Sequence, residues 1–407
     1  MARTRERFMA QHLGMPGGSG GFVGVDVFLV ISGFLITGYI VERVTRGQGE
    51  RGTGARGDFR FGEFYARRVR RLLPAALVTI VLTVAAAAVF LPAQLARATA
   101  EDGVASALYG ANVFWTWEWW NAIWSERRAF GHFWSLGLEE QFYLVWPLLL
   151  VAVFAVARKS RIALTVAMAL VLVASLATSV AVSPTDPIAA YYLLHTRAWE
   201  FALGGLVWMA LASPRVREWR PPGAALLPPA GLLLIAAGFV FCRDLVFPGW
   251  SALLPTMGAA AVIVGGALRA DAWGTRVLSL RPAVWLGTIS YSLYLVHLPM
   301  IVVPELAMGE APPGLVRLAI GAAAVPVAWA MWRRVEQPFR VPRTRDRHTP
   351  YRRLKQKAPD PRLYASVSCT PNPSSQRRLR RPLSIRVRSL APRSELGSSA
   401  QQNLTRG

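Results

Sequence analysis

GHFWSLGLEEQFYLVWPLLL, residues 131–150, sets His132 and the adjacent pair Glu139 and Glu140 at the mouth of a long apolar run. Ionisable groups inside a membrane cost roughly 2.5–3.5 kcal/mol each on insertion scales, and where they occur they mark functional paths. A soluble core does not want them, and a bare anchor does not need them. Which reading applies depends on the chain around them.

That chain has 407 residues, 53% of them hydrophobic and 17% charged, with a mean hydropathy of +0.32. The profile predicts an all-α, polytopic helical membrane protein and excludes an ordinary soluble globule. A helix needs roughly 20 apolar residues to cross a bilayer. Nine candidate spans follow, at about 22–41, 72–92, 142–157, 162–182, 189–211, 224–241, 251–268, 283–303 and 314–332.

The net charge of +23 raises the possibility of nucleic acid. Outside the tail, however, the basic residues sit mostly in short connections between apolar runs, which is the pattern of membrane topology. Arginine-rich connections (42–71, RKSR at 158–161, PRVREWR at 214–220, 269–281 and the stretch after 332) alternate with poorer ones: 93–141, SPTDP at 183–187, RDLVFPGW at 243–250 and PELAMGEAPPG at 304–314. The alternation predicts a multi-pass protein of the cell membrane with a cytoplasmic C-terminus, lipid as a partner and no nucleic acid. It also puts residues 12–21 outside, on the wrong side for a start without a signal peptide, and MARTRERFMAQ (1–11) holds no apolar stretch. Cys242 and Cys369 lie far apart with no metal-type spacing, so neither a disulfide framework nor a metal site is expected. The segment 341–407 holds 16 Lys/Arg against three acids, is rich in Ser and Pro, and is expected to be a disordered cytoplasmic tail.

Aromatics as dense as NVFWTWEWWNAIW (112–124) fit the headgroup interface, with stacking on sugar rings as the alternative. Four of the five histidines (His12, His132, His195 and His297) flank or enter apolar segments, in company with Asp26, Glu139, Glu140, Arg197 and Glu200. Together they predict a polar interior. Carboxylates near a helix N-terminus gain roughly 0.3–1 kcal/mol from its dipole, so one of Glu139 and Glu140 reads as a helix-start residue. The other is free to pair with an arginine such as Arg197, since a lone buried charge is costly. Arg197 and Glu200, three apart on one helix face, offer each other the alternative pairing. Tyr291, Tyr294 and His297 share a face and read either as a polar stripe or as packing. Ser32 and Gly33 suit close helix packing.

Six words occur in order: HLGMPGGSGGFVGVDVFLVISGFLIT (12–37), FYARRVRRLLP (64–74), HFWSLGLEEQFYLVWP (132–147), TRAWEFALGG (196–205), ISYSLYLVHLP (289–299) and VEQPFR (335–340). Over residues 12–340 the chain resembles the membrane-bound acyltransferase-3 family, the O-acetyltransferases of bacterial surface polysaccharides. The resemblance implies about ten spans, the first carrying Arg or Lys eleven positions before the histidine. Here that position is Met1, so the first span is expected to be missing or replaced and residues 1–11 to be atypical. That leaves an inactive truncated relative as one reading. Many long relatives carry a further esterase-like domain, of which residues 341–407 give no sign.

The same resemblance implies the chemistry, an acyl group passing from coenzyme A thioester, a donor substrate and not a resident cofactor, to a hydroxyl of an extracytoplasmic glycan or glycolipid. His12 matches the family's catalytic base, a role that suits an imidazole with a reference pKa near 6.5. Asp26 is placed to orient it, or to do no more than cap its own helix. Arg68 and Arg71 match the paired-arginine word for the donor phosphates, which guanidinium forks bind bidentately, while Arg67 and Arg70 read equally as positive-inside charges. His132, Ser135, Glu139 and Glu140 are expected to line the transfer cavity together with Arg197, Glu200, Tyr291, Tyr294 and His297. No activated Ser or Cys word stands out, which favours direct attack. On physical grounds alone, a transporter or flippase of lipid-linked sugars is the rival class.

Overall fold

The structure, a computed structural model, describes residues 21–46, 59–120, 128–157, 160–219, 221–310 and 312–340. The atypical N-terminal segment, His12 and the tail expected over 341–407 lie outside the described residues. What is described contains helices and no strand.

Eleven principal helices follow in order: α1 (Val23–Arg46), α2 (Phe61–Phe90), α3 (Ala93–Ala107), α4 (Ala111–Trp120), α5 (Phe133–Val156), α6 (Arg161–Val182), α7 (Leu194–Leu211), α8 (Leu227–Phe241), α9 (Leu253–Leu268), α10 (Arg281–Met308) and α11 (Gly314–Met331). Each predicted span corresponds to one of these. Seven helical stretches among the described residues are long and apolar enough to cross a membrane. The two other predicted spans are α9, which has only 16 residues, and α7, which carries the buried charges Arg197 and Glu200.

The boundaries differ from the hydropathy reading in one systematic way. α2 starts at Phe61 and α5 at Phe133, about ten residues before the apolar runs predicted there. Both polar words, FYARRVRR and HFWSLGLEEQ, are therefore helical. A helix satisfies its backbone polar groups internally whatever side chains it carries, so it continues from hydrocarbon into the polar zone without a break. Likewise α11 runs on through a π-helical turn, Trp332–Glu336, into Gln337–Arg340.

Small residues decide how closely the helices approach. α1 packs along α7, and a methyl group on Gly33 would overlap the Phe201 backbone carbonyl, as one on Gly204 would overlap that of Val30. Ser32–Gly33 thus marks a close crossing, as its residue types predict. α8 and α9 meet in the same way, where a Cβ on Gly231 would fall 2.5 Å from the Gly258 carbonyl oxygen. Beside the α1–α7 seam, Phe142 stacks on Phe201 with centroids 3.8 Å apart, and Trp146 Nε1 donates to Thr37 Oγ1 at 2.9 Å. α5 packs on α1, α4, α6 and α7, while α2 packs on α3 and α10, and α10 on α11. The outward residues, such as Val81 and Leu82 of α2, Leu170 of α6 and Leu318 of α11, are exposed and apolar. In water such a belt would aggregate, and in lipid it is the solvent-facing surface.

The tryptophan-rich region is not uniformly interfacial. Trp117 is exposed, but Trp115 is buried and donates from Nε1 to Asp102 Oδ1 at 3.0 Å. Arg128 closes on the same carboxylate. For Trp115 the interfacial and sugar-stacking readings are therefore corrected. A buried indole N–H needs an acceptor, and an acid of the same connection, Asp102, supplies it.

Candidate functional site

On α5, His132 stands at the N-cap, and Ser135, Glu139 and Tyr143 follow at spacings of three to four residues. Such spacing lays them along one helix face over about 16 Å. All four are buried. The opening stretch is thus a polar stripe driven into an apolar bundle.

At its N-terminal end the stripe meets α10. His132 Nε2 lies 3.1 Å from the Leu295 carbonyl oxygen, and Tyr294 OH donates to the His132 carbonyl at 2.6 Å. Tyr294 also bonds Ser135 Oγ. The His297 ring centres 5.2 Å from that of His132, and its Nδ1 lies 2.7 Å from the Tyr294 carbonyl oxygen. A carbonyl only accepts, so each of these ring nitrogens is the protonated one in the neutral imidazole. That leaves a lone pair on His132 Nδ1, which is buried and has no partner among the described residues. Of the three residues read as a stripe on α10, Tyr294 and His297 belong to this group. Tyr291 does not, because its hydroxyl donates to the Leu72 carbonyl of α2 at 2.7 Å.

Midway along the stripe, Glu139 Oε1 accepts from Ser32 Oγ at 2.9 Å, and Tyr143 OH lies 3.4 Å from the same serine oxygen. The suggested pairing of Glu139 or Glu140 with Arg197 does not occur. The two glutamates face Arg68 electrostatically instead, since α2 brings that guanidinium to α5, with its Cζ 3.5 Å from the Tyr143 ring centre.

At the stripe's other end lies a cavity of about 350 Å³, lined by Leu35, Ile36, Tyr39, Phe64, Arg67, Arg68, Arg71 and Arg340. Arg67 is tied to Glu63 and to the Tyr39 hydroxyl. Of the four arginines singled out in FYARRVRR, three line the cavity. Arg70 is exposed and does not line it.

Arg197 belongs to a separate cluster. Its Nη2 lies 2.8 Å from Asp26 Oδ1 and its Nε 3.1 Å from Glu200 Oε1, all three side chains having 0% exposure. These contacts are ion pairs by distance. Trp134, Tyr191 and Phe247 surround the guanidinium. The expected i,i+3 pairing of Arg197 with Glu200 is present, and the partner across the helix seam is Asp26. What the Asp26 carboxylate orients among the described residues is therefore Arg197. Reading single residues missed Tyr143, Arg340 and this cross-helix pair. The signal for the pair was two opposite charges, each isolated in an apolar run.

The fold and this interior define a polytopic membrane protein with a cationic cavity joined to a histidine cluster by a buried polar stripe. The chain belongs to the acyltransferase-3 family, whose acyltransferase-domain model matches residues 4–333. It is 28% identical to the peptidoglycan O-acetyltransferase OatA of Listeria monocytogenes over 82% of this chain and 53% of that protein. It is 31% identical to the putative peptidoglycan O-acetyltransferase YrhL of Bacillus subtilis, over 72% of this chain and 46% of that one. It is 32% identical to the putative membrane-bound transacylase BcsY of Komagataeibacter xylinus, over 70% and 67%. The chain spans about half the length of the first two of these relatives. No solved structure matches it.

Proposed function

We propose that this protein is a cell-membrane O-acyltransferase that moves acetyl, or a similar short acyl group, from acyl-coenzyme A to a hydroxyl of an extracytoplasmic glycan or glycolipid. The observation that carries the reading is the continuity of the α5 stripe from His132 to the basic cavity. The relatives' names support a glycan acceptor of the peptidoglycan type. Positive-inside loops support a cytoplasmic C-terminus, and with it a cavity opening toward cytosolic thioester.

In this reading the pyrophosphate and ribose phosphate of the donor lie against Arg68 and Arg71, and the acyl end reaches inward past Tyr143 and Glu139. The acceptor alcohol enters from the His132 end. Its oxygen attacks the thioester carbonyl, the C–S bond breaks, and coenzyme A leaves as the thiol. The proton lost by the alcohol passes to His12 as base and from its imidazolium to the departing sulfur, while the His132 lone pair accepts from a neighbouring hydroxyl of the acceptor. Desolvating the reactants within the bundle strengthens each of these interactions.

Inside-out vesicles given labelled acetyl-coenzyme A test the reading. Label should enter glycan with the intact protein and not with His12→Ala. Passage of unmodified sugar or solute in both, with no label transferred, would instead identify a transporter.

A further inference from the structure

The donor cavity has a fourth guanidinium, which the FYARRVRR word does not contain. Arg340 lines the cavity together with Arg67, Arg68 and Arg71, although it comes from VEQPFR at the far end of the described chain. It arrives there through the π-helical turn Trp332–Glu336. A π-turn inserts a residue into the helical repeat and re-aims the side chains that follow, a distortion frequent at functional sites. Within this turn Glu336 is 1% exposed. Its Oε2 accepts from Ser292 Oγ of α10 at 3.0 Å, and its Oε1 stands 3.5 Å from Arg340 Nη1.

Arg67 is countered by Glu63, and Arg68 by Glu139 and Glu140. Arg340 is paired with Glu336, a carboxylate on which Arg71 also acts. Arg340 spends one long contact on Glu336 and keeps most of its five N–H donors. A carboxylate buried by the fold and braced by a hydroxyl is a fixed post against which a guanidinium fork can be held while it grips an anion.

We propose that Arg340 is a phosphate-binding residue of the donor site and that Glu336 and Ser292 position it. The proposal rests on the acyl-coenzyme A reading above. The chemistry recognised is a phosphate, which a nucleotide thioester and an anionic lipid headgroup both carry, so the test must separate the two.

The full chain in phosphatidylcholine nanodiscs is titrated with coenzyme A and, separately, with pantetheine, which lacks the nucleotide and its ribose phosphate. Arg340→Ala should raise the Kd for coenzyme A about ten- to a hundredfold, the range of one charge-assisted phosphate contact, and leave that for pantetheine unchanged. Arg340→Lys should recover part of the loss, and Glu336→Gln should weaken coenzyme A severalfold through misplacement of Arg340. Unchanged pantetheine binding shows that each variant is folded. If the intact protein binds coenzyme A and Arg340→Ala binds it equally well, or loses both ligands alike, the inference falls and the donor reading stands. If the effect appears only when phosphatidylglycerol is present, Arg340 holds a headgroup and the inference is overturned. If the intact protein binds no coenzyme A, both readings fall.

Discussion

Arg197 of α7 lies 2.8 Å from Asp26 of α1, and neither side chain has any exposure. This ion pair crosses the same seam at which Gly33 and Gly204 let two helix backbones touch. With Glu200 on the same guanidinium, it joins α1 and α7 by charge as well as by shape. Removing one partner of a buried pair strands the other in a medium that cannot solvate it, at a cost of about 3–5 kcal/mol.

Arg197→Met should therefore be among the most destabilising single changes in the bundle, because it leaves two carboxylates without their cation. The triple change Asp26→Leu, Arg197→Met and Glu200→Leu should recover much of the lost stability, since apolar replacement of a whole buried ionic group is often neutral. Thermal unfolding in detergent, followed by size-exclusion fluorescence, reads both. A triple variant less stable than Arg197→Met would refute this account.

Gly33→Ala and Gly204→Ala should each cost about 1–3 kcal/mol, the usual penalty of overpacking, because the added methyl meets backbone and not a movable side chain. Gly62→Ala and Gly287→Ala, where a methyl meets nothing within 4 Å, should be neutral or gain up to about 1 kcal/mol from helix propensity. The same unfolding assay on the four variants checks the contrast.

Ser32→Ala should weaken transfer and stability together, since Glu139 then loses its hydroxyl donor. A double-mutant cycle of Ser32→Ala with Glu139→Gln should return a coupling of about 1–2 kcal/mol. Additive effects would show that the contact carries no energy.

His132→Ala should lower acyl transfer at least about a hundredfold, in line with loss of a general acid–base or hydroxyl-orienting group, while leaving coenzyme A binding unchanged. The expectation follows from the unpartnered Nδ1 lone pair and from the position of His132 at the far end of α5 from the cavity. A variant that binds the donor more weakly would place His132 in the donor site instead.

Much of the architecture was legible before any coordinates. Nine apolar runs became nine helices because hydrocarbon demands length and internal hydrogen bonding, and both are written locally. Helix starts were less legible. FYARRVRR and HFWSLGLEEQ are polar words inside helices, and hydropathy falls before the helix ends. Trp115 shows the same limit, since an indole that suits the interface is buried once Asp102 and Arg128 meet it.

Composition, motif words and charge alternation by themselves determined that this is a multi-pass helical membrane protein of the acyltransferase-3 family, and which ionisable residues a lipid setting makes costly. Only the tertiary structure decided how those residues are paired. Asp26 went to Arg197, Glu139 to Ser32, His132 to the Leu295 carbonyl beside the His297 ring, and Arg340 joined Arg68 and Arg71 around one cavity. The reason is physical. The cost of burying a charge depends on the residue and its medium and is set locally, whereas its compensation depends on which helix faces which, and that is fixed by the close approach of small residues far apart in the chain.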